Sequence, residues 1–171
     1  TGSGWNGITA NSTSTTFSGN IVEYASTGLL VNCNLNSISS NTFRYCTTGA
    51  SFNNCTNYSI SSNRAISNGS GFKYTGSSYG GFFPGNVLVD NNYNVEIGSS
   101  ACPDFGMMPD QGRNSIYNAG PYDINSSYPG TITARYNWWG SYQGIPSYTG
   151  TVDYYGSLDA DPNPMIGILA E

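Results

Sequence analysis

The chain of 171 residues contains no histidine, only five lysines and arginines, and no apolar run long enough to cross a bilayer. Each absence removes a class of function. Without imidazole a zinc site would have to be all-thiolate, and Cys33, Cys46, Cys55 and Cys102 lack metal-finger spacing. The cations Arg44, Arg64, Lys73, Arg113 and Arg135 are scattered, and the formal net charge is -5, so a nucleic-acid partner is set aside, because phosphate binding depends on clustered cations. Membrane insertion is not expected, since a span needs roughly 18 apolar residues. No positively charged, hydrophobic leader stands at Thr1, so the chain reads as a mature or excised soluble piece. Long stretches of Ala, Leu, Glu and Lys are also missing, and the abundant Asn, Gly and Ser disfavour helix interiors. An all-β chain is expected.

What is present is a repeat. Shifting the sequence against itself by about 21 residues aligns Gly7, Gly28, Gly49 and Gly71. The segments that follow alternate, with Ile8, Leu29, Ala50 and Phe72 in one column and Ala10, Val31, Phe52 and Tyr74 in a second. Thr9, Leu30, Ser51 and Lys73 lie between them, the period-2 pattern of a strand with one buried face. A longer column consists of Asn20, Asn41, Asn63, Asn86, Asn114 and Asn137, spaced by 21, 22, 23, 28 and 23 residues. Two positions after each stands an apolar residue: Val22, Phe43, Ala65, Leu88, Ile116 and Trp139.

Such a rung cannot bury its apolar face alone, whereas coiling pairs each strand with its equivalent one turn later and makes a continuous core. The expected fold is a right-handed parallel β-helix of about six turns over residues 1–164. At about 4.8 Å per turn the rod is roughly 30 Å long. The asparagines are expected to form a ladder of amides; the plainer alternative is asparagine in ordinary turns. In this register Glu23 and Arg44 become outer-face neighbours, a pair that adds little stability but tests the alignment. Cys33 and Cys55 share a column on adjacent turns, and either a disulfide or two buried thiols fits there.

Residues 75–85 and 99–112, rich in Gly and Pro, are expected to be loops leaving the rod. Trp138 and Trp139 are expected to close the core as an aromatic C-terminal cap. The apolar tail, residues 165–171, is a candidate for seating on the open ladder edge of a neighbouring copy, which would make a head-to-tail filament.

Asn114-Ser-Ile-Tyr-Asn118, Tyr122-Asp-Ile, Ile132-Thr-Ala-Arg-Tyr-Asn-Trp-Trp-Gly140 and Asp161-Pro resemble the C-terminal turns of bacterial secreted and surface parallel β-helix repeat proteins of the pectate-lyase-like superfamily. The resemblance implies the fold and an extracellular or cell-surface location, with further turns before Trp5 in a longer protein. It implies activity less well, because fold does not fix function.

Lyases of that superfamily bind calcium through clustered acids, but the ten acids of this chain are scattered. No carboxylate pair of the kind glycoside hydrolysis needs emerges. Asp110 and Arg113 are the alternative, as calcium ligand and base of a polysaccharide lyase; an ion pair is the plainer reading. Asp159-Ala-Asp-Pro-Asn163 begins like a calcium loop, yet Pro164 replaces the tight-turn glycine, which favours a capping turn and no cofactor. Sequons at Asn11, Asn54, Asn57, Asn68 and Asn125 carry little weight in so Asn-rich a chain.

Tyrosines crowd the second half, and Tyr79, Phe82, Phe83, Phe105 and Tyr142 are singled out as glycan or partner contacts, because such rings join an apolar face to a polar edge. The functional expectation is a non-catalytic structural or adhesive module whose partner is surface polysaccharide or another copy of itself.

Overall fold

The computed structural model describes residues 4–13, 16–32, 37–56, 59–80, 84–106, 112–141 and 144–163. These form a parallel β-helix of about six turns. The first sheet holds Ile8–Ala10, Thr27–Val31, Thr48–Asn53, Ser70–Thr75, Tyr93–Ile97, Tyr122–Ser126 and Tyr148–Thr149 in chain order. The second holds Thr16–Ser18, Ser37–Ser39 and Ser59–Ser61. Ile21–Glu23, Thr42–Arg44, Arg64–Ile66, Val87–Val89 and Ser115–Tyr117 make the third. Every pairing is parallel, and Ile8 lies beside Leu29, Leu29 beside Ala50 and Ala50 beside Phe72, as the sequence alignment requires. The inner columns continue through Val95 and Ile124, and these side chains are buried.

The asparagine ladder runs unbroken from Asn20 to Asn137. At each of its five steps the backbone N–H and Nδ2 of one asparagine both donate to Oδ1 of the next, at 2.8 to 3.1 Å. The ladder closes where Asn137 Nδ2 turns back onto the carbonyls of Phe105 (3.0 Å) and Ala134 (2.9 Å). The residue before each asparagine turns the corner with positive φ: Gly19 at 70°, Ser40 at 57°, Ser62 at 56°, Gly85 at 72°, Arg113 at 61° and Tyr136 at 58°. Only two of these are glycine, so the corner is held against local preference by the amides on one side and the sheet on the other. Glu23 and Arg44 pair as the register requires.

Two expectations need correction. Within residues 75–85 the strand Tyr79–Gly80 stays in the rod, bridged to Thr56, and within residues 99–112 the segment up to Gly106 does not leave it either. Cys102–Pro103 pairs with Tyr79–Gly80, and the Phe105 N–H donates to the Thr133 carbonyl at 2.9 Å. Phe105 is 1 % exposed and packs edge-on to Tyr74, so it is a core residue and no surface contact. At the C-terminal end Trp139 closes the inner column as expected, but Trp138 does not join it. Adjacent residues of an extended segment point to opposite faces, so Trp138 stacks outward over Ser115 and is half-buried. Val152 and Ile132, paired across the strands Thr131–Thr133 and Thr151–Asp153, complete the core.

Candidate functional site

Outward-facing residues of the first sheet stack as Lys73, Glu96 and Asn125, which floor a groove of about 230 Å³. Lys73 Nζ lies 3.3 Å from Glu96 Oε2, and the Ser70 hydroxyl also donates to that carboxylate. The Thr149 hydroxyl donates to Asn125 Oδ1 at 2.9 Å, and the Ser127 hydroxyl donates to the Ile97 carbonyl at 3.1 Å. The groove thus offers groups that are already paired, and it holds one carboxylate. Hydrolysis of a glycosidic bond by the usual route needs two.

A second cleft, of about 310 Å³, lies in the cap, where the chain turns after the strand Thr151–Asp153. Gly144, Tyr154, Tyr155, Gly156, Ser157 and Asp159 line it. Gly156 has φ 73°, and a Cβ there would stand 2.6 Å from the Tyr136 ring, so only glycine passes. Tyr154 packs against the core and lies 5.8 Å from the Tyr148 ring, while Tyr155 is 73 % exposed. Beneath the turn the Arg135 guanidinium bonds Asp153, with Nε 2.7 Å and Nη2 2.6 Å from Oδ2, and holds that carboxyl below its ordinary value.

Of the residues singled out in the sequence, Tyr79 is half-exposed in a short ladder between Thr56 and Cys102. Phe82, Phe83, Tyr142, Cys33, Asp110 and the tail 165–171 lie outside the described residues. The Cys55 sulfur is buried and donates to the Val31 carbonyl at 3.2 Å. Asp161 accepts from the Ser115 hydroxyl and the Asn163 N–H, and Asn163 Nδ2 donates to the Arg113 carbonyl at 2.6 Å. These contacts tie residues 161–163 across the outside of the third sheet, so the calcium-like motif acts here as a strap.

Two features escaped the sequence reading. One is a second buried amide step: Asn68 Oδ1 accepts the Cys46 N–H at 2.9 Å, and Asn68 N–H and Nδ2 donate to Asn91 at 2.8 and 3.0 Å. Their common offset of five after Asn41, Asn63 and Asn86 was its signal. The other is the cap cleft, which no repeat announces.

The sequence profile of the NosD family, described as a periplasmic copper-binding protein, matches residues 1–144. No curated protein matches the chain, and no solved structure does. The family description puts these proteins outside the cytoplasm, which agrees at that level with the expected extracellular or surface location. Copper prefers imidazole, thiolate and thioether donors. The chain has no histidine, its methionines lie outside the described residues, and Cys46 is buried against the carbonyls of Val22 and Arg44. Among the described residues no three His, Cys, Asp or Glu side chains converge on a metal position, so these residues do not fit the ion. In fold and over most of its length, the chain belongs to the NosD family of parallel β-helix proteins.

Proposed function

We propose that this chain is a non-catalytic β-helix module that works outside the cytoplasm as a rigid, adhesive element binding surface polysaccharide. The observation that carries the reading is the contrast between interior and exterior. Inside, successive rungs satisfy one another's amides; outside, charge is sparse and rings such as those of Tyr79, Tyr148 and Tyr155 stand in solvent. Rings of that kind bind sugars through an apolar face and a polar edge. The single carboxylate of the sheet groove supports a role without turnover.

The test is retention of the intact chain on a panel of insoluble and arrayed polysaccharides, with released unsaturated uronates and new reducing ends assayed with and without calcium. Retention on at least one glycan without product is expected. Accumulating product would make the chain an enzyme on polysaccharide, the competing reading. Absence of retention on every glycan would refute adhesion through sugars.

A further inference from the structure

We infer that the cap cleft is a saccharide site, in which Tyr155 stacks on a neutral sugar ring and Asp159 accepts hydroxyls of that ring. The inference rests on the glycan-binding reading and assigns it a place. Four observations select this cleft over the groove on the first sheet. In the groove, Lys73, Glu96, Asn125 and Ser127 already bond protein partners, so a sugar would exchange one set of hydrogen bonds for another with little net gain. Among the described residues no aromatic side chain faces it, because Tyr74 is turned into the core. In the cap, by contrast, Tyr155 is exposed on a lining otherwise built from two glycines, a serine, Tyr154 and Asp159. Among the described residues Asp159 has no hydrogen-bond or ion-pair partner, so its carboxylate is available to a diol.

The same residues argue against two other ligand chemistries. An anionic sugar would meet Asp159 in a chain of net charge -5, with no cation in the lining. An alkylammonium ion needs an enclosing box of rings to replace its water, and here two tyrosines line an open cleft, one of them mostly in solvent. A sugar ring asks for less enclosure, since one flat apolar face and one acceptor suffice. Tyr154 lines the same cleft, so a second tyrosine stands beside the first. The Tyr155 backbone is fixed on both sides, its carbonyl accepting the Tyr136 N–H at 3.3 Å and its own N–H donating to Asp153 Oδ1 at 3.3 Å. That anchoring lowers the entropy lost when the ring orders on a ligand.

The experiment titrates the intact chain and three variants, Tyr155→Ala, Asp159→Asn and Tyr24→Ala, with neutral hexose and N-acetylhexosamine oligomers, an oligouronate and tetramethylammonium, read by calorimetry. Tyr24 is an exposed tyrosine at the opposite end of the rod and serves as control. Tyr155→Ala and Asp159→Asn are each expected to weaken neutral-oligomer binding by about tenfold or more, and Tyr24→Ala to leave it unchanged. Both cap side chains are exposed, so unaltered circular dichroism is expected throughout. If the neutral oligomers bind and neither cap variant weakens them, the cleft is not the site, although the glycan-binding reading stands. Stronger binding of oligouronate or tetramethylammonium than of neutral sugar overturns the ligand assignment. No binding of any saccharide to the intact chain removes both this inference and the reading beneath it.

Discussion

Replacing Asn63 by alanine removes the amide at the middle of the ladder. Asn63 Oδ1 accepts both the backbone N–H and Nδ2 of Asn41, at 3.0 and 2.9 Å. Its Nδ2 donates to the Ile38 carbonyl at 2.8 Å and to Asn86 Oδ1 at 3.1 Å. In the variant, Asn41 Nδ2 keeps the Phe17 carbonyl, and Asn86 Oδ1 keeps the backbone N–H of position 63. The Asn41 N–H and the Ile38 carbonyl lose these partners where Asn41 and Ile38 are each 1 % exposed, out of reach of water. An orphaned buried polar group costs about 1 to 3 kcal/mol, and the vacated volume adds a cavity penalty, so a loss of about 3 to 5 kcal/mol is expected. Asn20 makes the same kind of bond to Asn41 but is only half-buried, so water replaces its amide and Asn20→Ala should cost about 1 kcal/mol. Urea unfolding followed by tryptophan fluorescence and circular dichroism measures both losses, read as midpoint shifts at unchanged slope. Equal losses for the two variants would refute the reasoning, because burial is what separates them. Asn63→Asp sharpens the test through pH. Only the protonated carboxyl can donate as the amide does, and burial disfavours the charged form, so the folded-state pKa lies above the unfolded one. Stability relative to the wild type should therefore be highest below about pH 4 and fall as pH rises through the folded-state value.

The Arg135 guanidinium bond holds the Asp153 carboxyl below its ordinary value, so this pair stabilises the cap above the ordinary carboxylate range and the contribution disappears as pH falls through the depressed value. In Arg135→Ala the Asp153 carboxyl, followed by NMR, should titrate in the ordinary range; an unchanged titration would show that the guanidinium does not set it. Gly19 has φ 70° and open space where a Cβ would go, so Gly19→Ala isolates the conformational cost of the corner. A destabilisation of about 1 kcal/mol is expected in thermal or urea unfolding, whereas the stabilisation usual for glycine to alanine at a permissive position would contradict the assigned corner geometry.

The solenoid was legible because stacking forces equivalent residues into columns, and a column of one residue type survives insertions that blur the spacing. Asn86 to Asn114 spans 28 residues, yet Asn86 N–H still meets Asn114 Oδ1 at 2.9 Å. The pairing of Glu23 with Arg44 followed from the same count. Columns of mixed composition stayed hidden. The second amide step shares its column with Cys46, and the positive-φ corner is filled by Gly, Ser, Arg and Tyr, so neither shows as a repeated letter although the backbone repeats. Phe105 was misread for a related reason. Gly and Pro around it suggested a loop, while the segment Ala101–Gly106 in fact completes one side of a turn. The cap cleft lies after the last asparagine of the column, where there is no register to reason from.

The ladder also explains where function can reside. Each asparagine gives its donors to the next turn, so along the rod the amides are satisfied and carry stability. The first and last described turns differ chemically. Among the described residues Asn20 Oδ1 receives no donor at the first turn, where the Tyr24 ring stacks on that of Tyr45 at 5.3 Å and both stand in solvent. At the last turn Asn137 folds its donors back onto carbonyls, and what is left open is a cleft of tyrosine and carboxylate. Stability and recognition are therefore separable. Loss of the Asn63 amide acts through the core and reaches the cleft only by unfolding the rod, whereas loss of the Tyr155 ring removes a solvent-facing surface on which no other rung depends. A variant pair in which Asn63→Ala lowers the unfolding midpoint at unchanged sugar affinity, and Tyr155→Ala does the reverse, is what this division of labour requires.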